Sequence, residues 1–170
     1  SIHLDGNQDR HDTSVCREGV YDQAVEAIRE AVSKGFRVTI NCTLFQGETG
    51  PEIANFIDDC MDLGVEGLTM SPGFSYEHAP QQDVFMQRSA SKRLFRDVFR
   101  IGRERKRKWR LNHSSLFLDF LAGNQTYHCT PWGNPTRNVF GWQRPCYLLV
   151  DEGYAPTFTS LMTETDWDRY

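Results

Sequence analysis

FRVTINCTLF, residues 36–45, is the stretch on which the fold turns. It is of strand length and rich in β-branched and apolar residues, the composition that fits a pleated, at least half-buried surface. Its neighbours are helical. Upstream, over residues 19–34, Val20, Ala24, Ala27, Ile28, Ala31 and Val32 recur three and four apart, which is one apolar helix face. Gly35 follows where a C′ glycine ends a helix. Before that helix, residues 1–4 read as a strand closed by the turn Asp5-Gly6. Downstream, Pro51 opens a second helix, pre-set for helix entry by its ring, with Ile53, Phe56, Ile57, Cys60 and Met61 as the inner stripe and Gly64 as its stop. Residues 65–71 give a third strand, closed by Pro72-Gly73. Residues 83–103 give a longer helix carrying Phe85, Leu94, Phe95, Val98, Phe99 and Ile101.

Strand, helix, strand, helix, strand, helix demands parallel strands joined by right-handed crossovers. The fold class is therefore α/β, either half of a (β/α) barrel or a doubly wound sheet. Three strands leave open edges and an unfinished core, so the chain is expected to be a fragment with further units upstream. After Lys108 the rhythm breaks. A short helix over 115–122, a loop, a strand-like 147–150 and a last helix over 157–165 make a small loop-rich module. The expected division is 1–112 for the β/α units and 113–170 for that module.

The loop is CTPWGNPTRNVFGWQRPC, residues 129–146. A long irregular segment rich in tryptophan must be pinned, because its buried backbone needs partners. Cys129 and Cys146 at its ends are natural pins, by disulfide, by metal or cluster ligation, or by packing. Structural zinc usually takes paired C-x-x-C ligands, and no such pair exists here, so a closed zinc site is not expected. Cys42 and Cys60 read as packing residues.

With 170 residues, 39% hydrophobic and 12% aromatic, the chain can bury a core,. Its net charge of −4 argues against a dedicated nucleic-acid binder,. No apolar run reaches the ~18–20 residues that cross a bilayer. An odd count of five cysteines, with neither a signal nor a transit sequence, points to a reducing cytoplasm,. The three N-x-S/T matches, at Asn41, Asn112 and Asn124, are read as chance. The one charge run, RERKRKWR at 103–110, reads either as a solvated helix end or as a contact for phosphate or an anionic membrane surface,. No G-x-S-x-G and no G-x-x-x-x-G-K is present,.

In parallel α/β folds, chemistry gathers at the carboxyl ends of the strands. Here those ends carry His3 and Asp5, then Asn41 and Thr43, then Ser71. Carboxylate and amide groups in such a row suit ribose hydroxyls and an amino group, while each residue alone also serves simply to satisfy loop amides.

HLDG at 3–6, the stretch 35–45, GVEGLTMSPGFSYEHAP at 64–80 and SSLFLDFLAGNQTYHCTPWGNPTRNVFGWQRPCYLL at 114–149 together resemble the HpnH-type radical S-adenosylmethionine (SAM) enzymes of hopanoid biosynthesis. The likeness spans nearly the whole chain. It implies the C-terminal half of a partial (β/α) radical SAM barrel, holding a [4Fe–4S] cluster and SAM, in a bacterial cytoplasmic enzyme. The implied reaction adds a 5′-deoxyadenosyl radical to the alkene of a hopene, giving adenosylhopane, with flavodoxin or ferredoxin as electron donor and peripheral membrane contact through the basic run. The family's C-x-x-x-C-x-x-C motif is absent from this sequence, so the cluster ligands are expected upstream and the chain alone is expected to be inactive.

The resemblance also implies that His3, Asp5, Asn41, Thr43, Ser71 and Pro72 contact SAM. His3 stands where such enzymes often have serine. Cys129, Gly141 and Cys146 form C-x11-G-x4-C, similar to the opening of auxiliary-cluster motifs, so ligation by Cys129 and Cys146 competes with a capped substrate loop. Phe74, Tyr76, Phe117, Phe120, Trp132, Phe140 and Trp142 are candidates for the wall of an apolar cavity, which a primary carbon radical requires. Two other readings remain open: a radical SAM enzyme acting on a peptide or another isoprenoid, and a non-catalytic module binding a lipid or an anion.

Overall fold

The computed structural model describes residues 1–75, 81–128, 130–149 and 152–170. They form two compact units, Ser1–Gln125 and Thr126–Tyr170.

In the first unit, β1 (Ile2–His3) leads into α1 (Gln8–Ser14) and α2 (Val20–Ser33). Then come β2 (Thr39–Leu44), α3 (Gly50–Asp62), β3 (Gly67–Pro72), α4 (Arg88–Glu104) and α5 (Ser115–Leu121). Gly35 ends α2 at φ 80°, with the Gly35 and Phe36 amides donating to the carbonyls of Val32 and Ala31. That is the paired bonding of a Schellman motif, for which glycine carries no Cβ penalty. Thr49 and Glu52 cap α3 reciprocally in a capping box,.

All three strands are parallel, in the order β1-β2-β3. Residues 110–112 continue the array beyond β3: the Leu68 amide donates to the Arg110 carbonyl at 2.9 Å and the Asn112 amide to the Leu68 carbonyl at 2.7 Å. Order in space thus follows order in sequence, without reversal. Same-handed crossovers between successive neighbours place every crossing helix on one face, which separates this sheet from a doubly wound one. Among the described residues the sheet is open, and no barrel closes.

The two faces differ accordingly. Ile40, Cys42, Leu44, Leu68 and Met70 are fully buried and share one core with Ile28 of α2, Ile53, Phe56, Ile57 and Cys60 of α3, and Leu94, Phe95 and Val98 of α4. The alternate positions, His3, Asn41, Thr43, Thr69 and Ser71, are exposed or half-buried. Parallel sheets are normally covered on both faces; this one is apolar on one face and polar on the other.

In the second unit, β4 (Arg137–Asn138), β5 (Gly141–Gln143) and β6 (Tyr154–Ala155) form an antiparallel meander, followed by α6 (Phe158–Glu164). Ala155 and Leu161 are fully buried, and the Trp142 and Phe158 rings meet edge to face at 5.1 Å. Gly141 has φ 136°, and a Cβ there would lie 2.7 Å from the Ala155 carbonyl oxygen. Both backbone angle and space require glycine at that position.

Three local expectations are corrected. Helix α1 is absent from the sequence reading because Gln8–Ser14 contains no apolar residue to set a period; Asn7 caps it by accepting the Arg10 amide at 3.0 Å,. Helix α4 begins at Arg88, so Phe85 precedes it. Residues 147–149 form a turn rather than a strand, and Val150 lies outside the described residues. A short apolar run carries no alternation to fix its state, and strand pairing falls instead on Tyr154–Ala155. No described helix is long and apolar enough to cross a membrane.

Candidate functional site

Parallel pairing sets the polar residues in rows. His3 is in register with Asn41, and Asn41 with Thr69; one step on, Thr43 is in register with Ser71. Neighbouring strands lie about 4.8 Å apart, so these side chains make a contiguous polar surface at the carboxyl ends of the strands. Pro72, in register with Leu44, has the opposite parity and is buried.

Asp5 ties the surface together. Its side chain is 1% exposed. Oδ1 accepts the Thr43 amide at 2.7 Å, and Oδ2 accepts the Ser14 hydroxyl at 2.9 Å and lies 2.9 Å from His3 Nε2. The Asp5 amide donates to His11 Nδ1 at 3.1 Å. One residue thereby joins β1, β2 and α1. A buried carboxylate persists only when its lone pairs are filled, and here both oxygens are. Accepting a proton at Nδ1 requires neutral His11. Burial pushes its pKa below the ordinary histidine value, against the opposing pull of Asp5,.

His3, Asp5 and His11 each offer a metal-type donor within 4.8 Å of the others. Both Asp5 oxygens and His11 Nδ1 are already engaged in the bonds that close β1 onto β2 and α1. The cluster is therefore read as a hydrogen-bonded knot that orients His3.

Sequence reasoning missed His11, Ser14, Thr69 and His113. Thr69 was legible, two residues before Ser71 on one strand face. Nothing local pointed to His11, or to His113, whose Nε2 lies 2.6 Å from the Met70 carbonyl oxygen and 3.1 Å from the Met70 amide nitrogen. Beside the ends of β1 and β2 lies a cavity of about 430 Å³ lined by Gly6, Arg10, Glu48, Ile53 and Phe56 among others. Glu48 is buried there, 2.8 Å from Arg10 Nε. Desolvation raises its pKa despite that partner.

Cys42 and Cys60 point into the core. Burial pushes the Cys42 thiol well up and the Cys60 thiol to about 12. Cys146 is buried in the second unit, while Cys129 and Tyr76 lie outside the described residues. Phe74, Phe117, Trp132 and Phe140 are exposed, and Phe120 and Trp142 half-buried. Much of the basic run is tied to α3: Arg105 reaches Asn55 at 2.8 Å and Asp58 at 3.1 Å, Arg107 pairs with Asp62, and Trp109 Nε1 donates to Asp58 at 2.7 Å.

The fold and this surface define an α/β chain with a one-sided parallel sheet whose bare face is polar at the strand ends. The chain belongs to the DUF3463 family, a domain of unknown function, matched over residues 68–170. That segment runs from the second residue of β3 through everything after it; the Asp5 knot lies before it. No curated protein gives a significant match, and neither does any solved structure.

Proposed function

We propose that the chain supplies the later β/α units and C-terminal module of an HpnH-type radical SAM enzyme, which joins the adenosyl group of SAM to hopene. The observation carrying this reading is the bare polar face of a singly wound parallel sheet, the face that a (β/α) barrel turns inward. Asn41, Thr43 and Ser71 offer an amide and two hydroxyls to ribose hydroxyls and to the amino-acid end of SAM. His3, held by Asp5, adds a ring nitrogen donor or acceptor. Asp5 acts by positioning, since its own oxygens are engaged. These residues fit SAM. Cys42 and Cys60, packed in the helix-side core, do not fit as cluster ligands. A [4Fe–4S] cluster and SAM, the latter held by Asn41, Thr43 and Ser71, would supply the radical chemistry, with an electron from reduced flavodoxin or ferredoxin.

The test is anaerobic turnover by the full-length gene product with SAM, hopene and reduced flavodoxin or ferredoxin, followed by mass spectrometry. Adenosylhopane is expected, and Thr43→Val and Ser71→Ala are each expected to raise the SAM KM about tenfold, the effect of one hydrogen bond lost in a dry site. A product without iron and without SAM turnover refutes the reading. Turnover of SAM without hopene adenosylation assigns the chain to another substrate class.

A further inference from the structure

Cations are segregated along this chain. Of its 19 Lys and Arg, eleven fall within residues 88–110, beside two acids, Asp97 and Glu104; the rest of the chain holds eight against 21. Several of the eleven serve the fold. Arg88 donates to the Phe120 carbonyl, Arg105 and Arg107 pair with Asp58 and Asp62 of α3, and Arg110 donates to the Val65 carbonyl. The side chains of Arg103, Lys106 and Lys108 have no hydrogen-bond or ion-pair partner among the described residues. A cation in the last turn of α4 suits the negative helix end, an effect that fades within that turn. Lys106 and Lys108 lie past the end of α4.

Lys92, Arg96, Phe99 and Arg103 recur four, three and four apart and so share one face of α4,, while Leu94, Phe95 and Val98 turn to the core. Two cavities open on this face and share Phe99 and Arg103 in their walls. One, of about 460 Å³, adds Arg96 and Arg100; the other, of about 400 Å³, adds Gly102, Lys108 and Trp109. The two acids lining this groove are engaged, Asp97 with Arg100 at 3.1 Å and Asp119 with the Asn124 side-chain amide at 3.2 Å. Trp109 is held in place. Its Nε1 donates to Asp58 at 2.7 Å, and its ring lies so close to Gly102 that a Cβ there would be 2.5 Å from Cζ3. Phe99 and Trp109 are both half-buried.

We propose that this groove binds a nucleoside polyphosphate, with the base against Phe99 and Trp109 and the phosphates on Arg103 and Lys108. The planar fork of Arg and the point charge of Lys both suit phosphate oxygens, and an aromatic face accepts any base by stacking. Together the two cavities give the room of a small-molecule site, typically about 300–1,000 Å³. The charge pattern selects a compact anion. A long polyanion or an anionic membrane would extend onto the acidic remainder of the chain and be repelled, whereas a ligand the size of the groove meets chiefly cations. The groove lies on the helix side of the sheet, so the proposal does not rest on the radical SAM reading and survives its failure.

The experiment is calorimetric titration of the full 170-residue chain, at low salt and without divalent cations, with ATP, adenosine, tripolyphosphate, a short oligothymidylate and phosphatidylglycerol vesicles. ATP is expected to bind at least about tenfold tighter than adenosine or tripolyphosphate, because phosphate contacts and stacking each contribute. Arg103→Gln/Lys108→Gln should lower ATP affinity about tenfold or more with an unchanged circular dichroism spectrum. Arg93→Gln, which removes an exposed cation off the groove, should leave it within about twofold. Phe99→Leu should weaken ATP severalfold and leave tripolyphosphate unchanged, and the Trp109 indole NMR signal, assigned from Trp109→Phe, should shift with ATP. The proposal is overturned if ATP stays unbound at millimolar concentration, if adenosine or tripolyphosphate matches it, or if the double substitution leaves its affinity unchanged. Loss on Arg93→Gln comparable to that of the double variant also overturns it. So does tighter binding of the oligonucleotide or the vesicles than of ATP, which would make a polymer or a membrane the occupant.

Discussion

Replacing Asp5 by alanine removes the acceptor at a point where β1, β2 and α1 are joined. Three groups lose a partner, and their costs differ. The Thr43 amide, 2.7 Å from Oδ1, is left without an acceptor, a penalty of about 1–3 kcal/mol that grows when the lost partner is charged. Ser14 retains its bond to the His11 carbonyl at 2.9 Å, and the His3 side chain, 45% exposed, turns to water at little cost. The sum is about 3 kcal/mol, or roughly a 150-fold shift in the folded-to-unfolded ratio. At 2–4 °C per kcal/mol for a chain of this size, Tm falls by about 6–12 °C. Asp5→Asn retains an oxygen for Thr43 and turns its amide toward Ser14 Oγ, so about 1 kcal/mol and 2–4 °C are expected. Thermal unfolding followed by circular dichroism at pH about 7 measures both. A double-mutant cycle with Ser14→Ala should give a coupling of at least about 0.5 kcal/mol. An Asp5→Ala protein melting within about 2 °C of wild type would refute the knot, since that is less than the lower bound of one orphaned amide.

Burial holds His11 below the ordinary histidine value of about 6.5,, so the unfolded chain takes up the proton first. Stability should be full above that pH and fall as pH drops below it, until the folded ring protonates too; a Tm-versus-pH curve that His11→Gln leaves unchanged contradicts this. Gly67 abuts the added strand, where a Cβ would lie 2.3 Å from Asn112 Oδ1 and 3.0 Å from the Arg110 carbonyl. Gly67→Ala should therefore cost about 1–3 kcal/mol and speed amide exchange at Leu68 and Asn112, and unchanged protection there refutes the close packing. Ellman's reagent should label exposed Cys16 at once, and Cys42 and Cys60 only in denaturant, because both are buried and their thiols raised,. Peptide mapping that finds Cys42 or Cys60 labelled in the native chain would contradict their place in the core.

Helices α2 and α3 were readable because their apolar residues recur at helical spacing and Gly35 and Gly64 follow each stripe. Strands β2 and β3 were readable from β-branched and apolar runs of the right length. The candidate surface was half legible: polar residues at strand ends are marked by their place in the pattern, which is how His3, Asp5, Asn41, Thr43 and Ser71 were found. His11 carried no such mark, since its helix is polar throughout and its contacts with the Asp5 amide and the Tyr21 ring draw it inside. Pro72 entered only through the family resemblance, and strand parity sets it on the opposite face.

The sequence by itself determined that the first unit is parallel α/β, because periodicity is a local property that survives without any contact. It did not choose between a barrel arc and a doubly wound sheet, nor foretell the meander around Gly141. Those depend on which strand edges meet, and edge pairing follows from burial of whole faces rather than from residue spacing. Only tertiary structure put β1, β2 and β3 in sequence order, buried one face beneath the helices, and left the other polar and open.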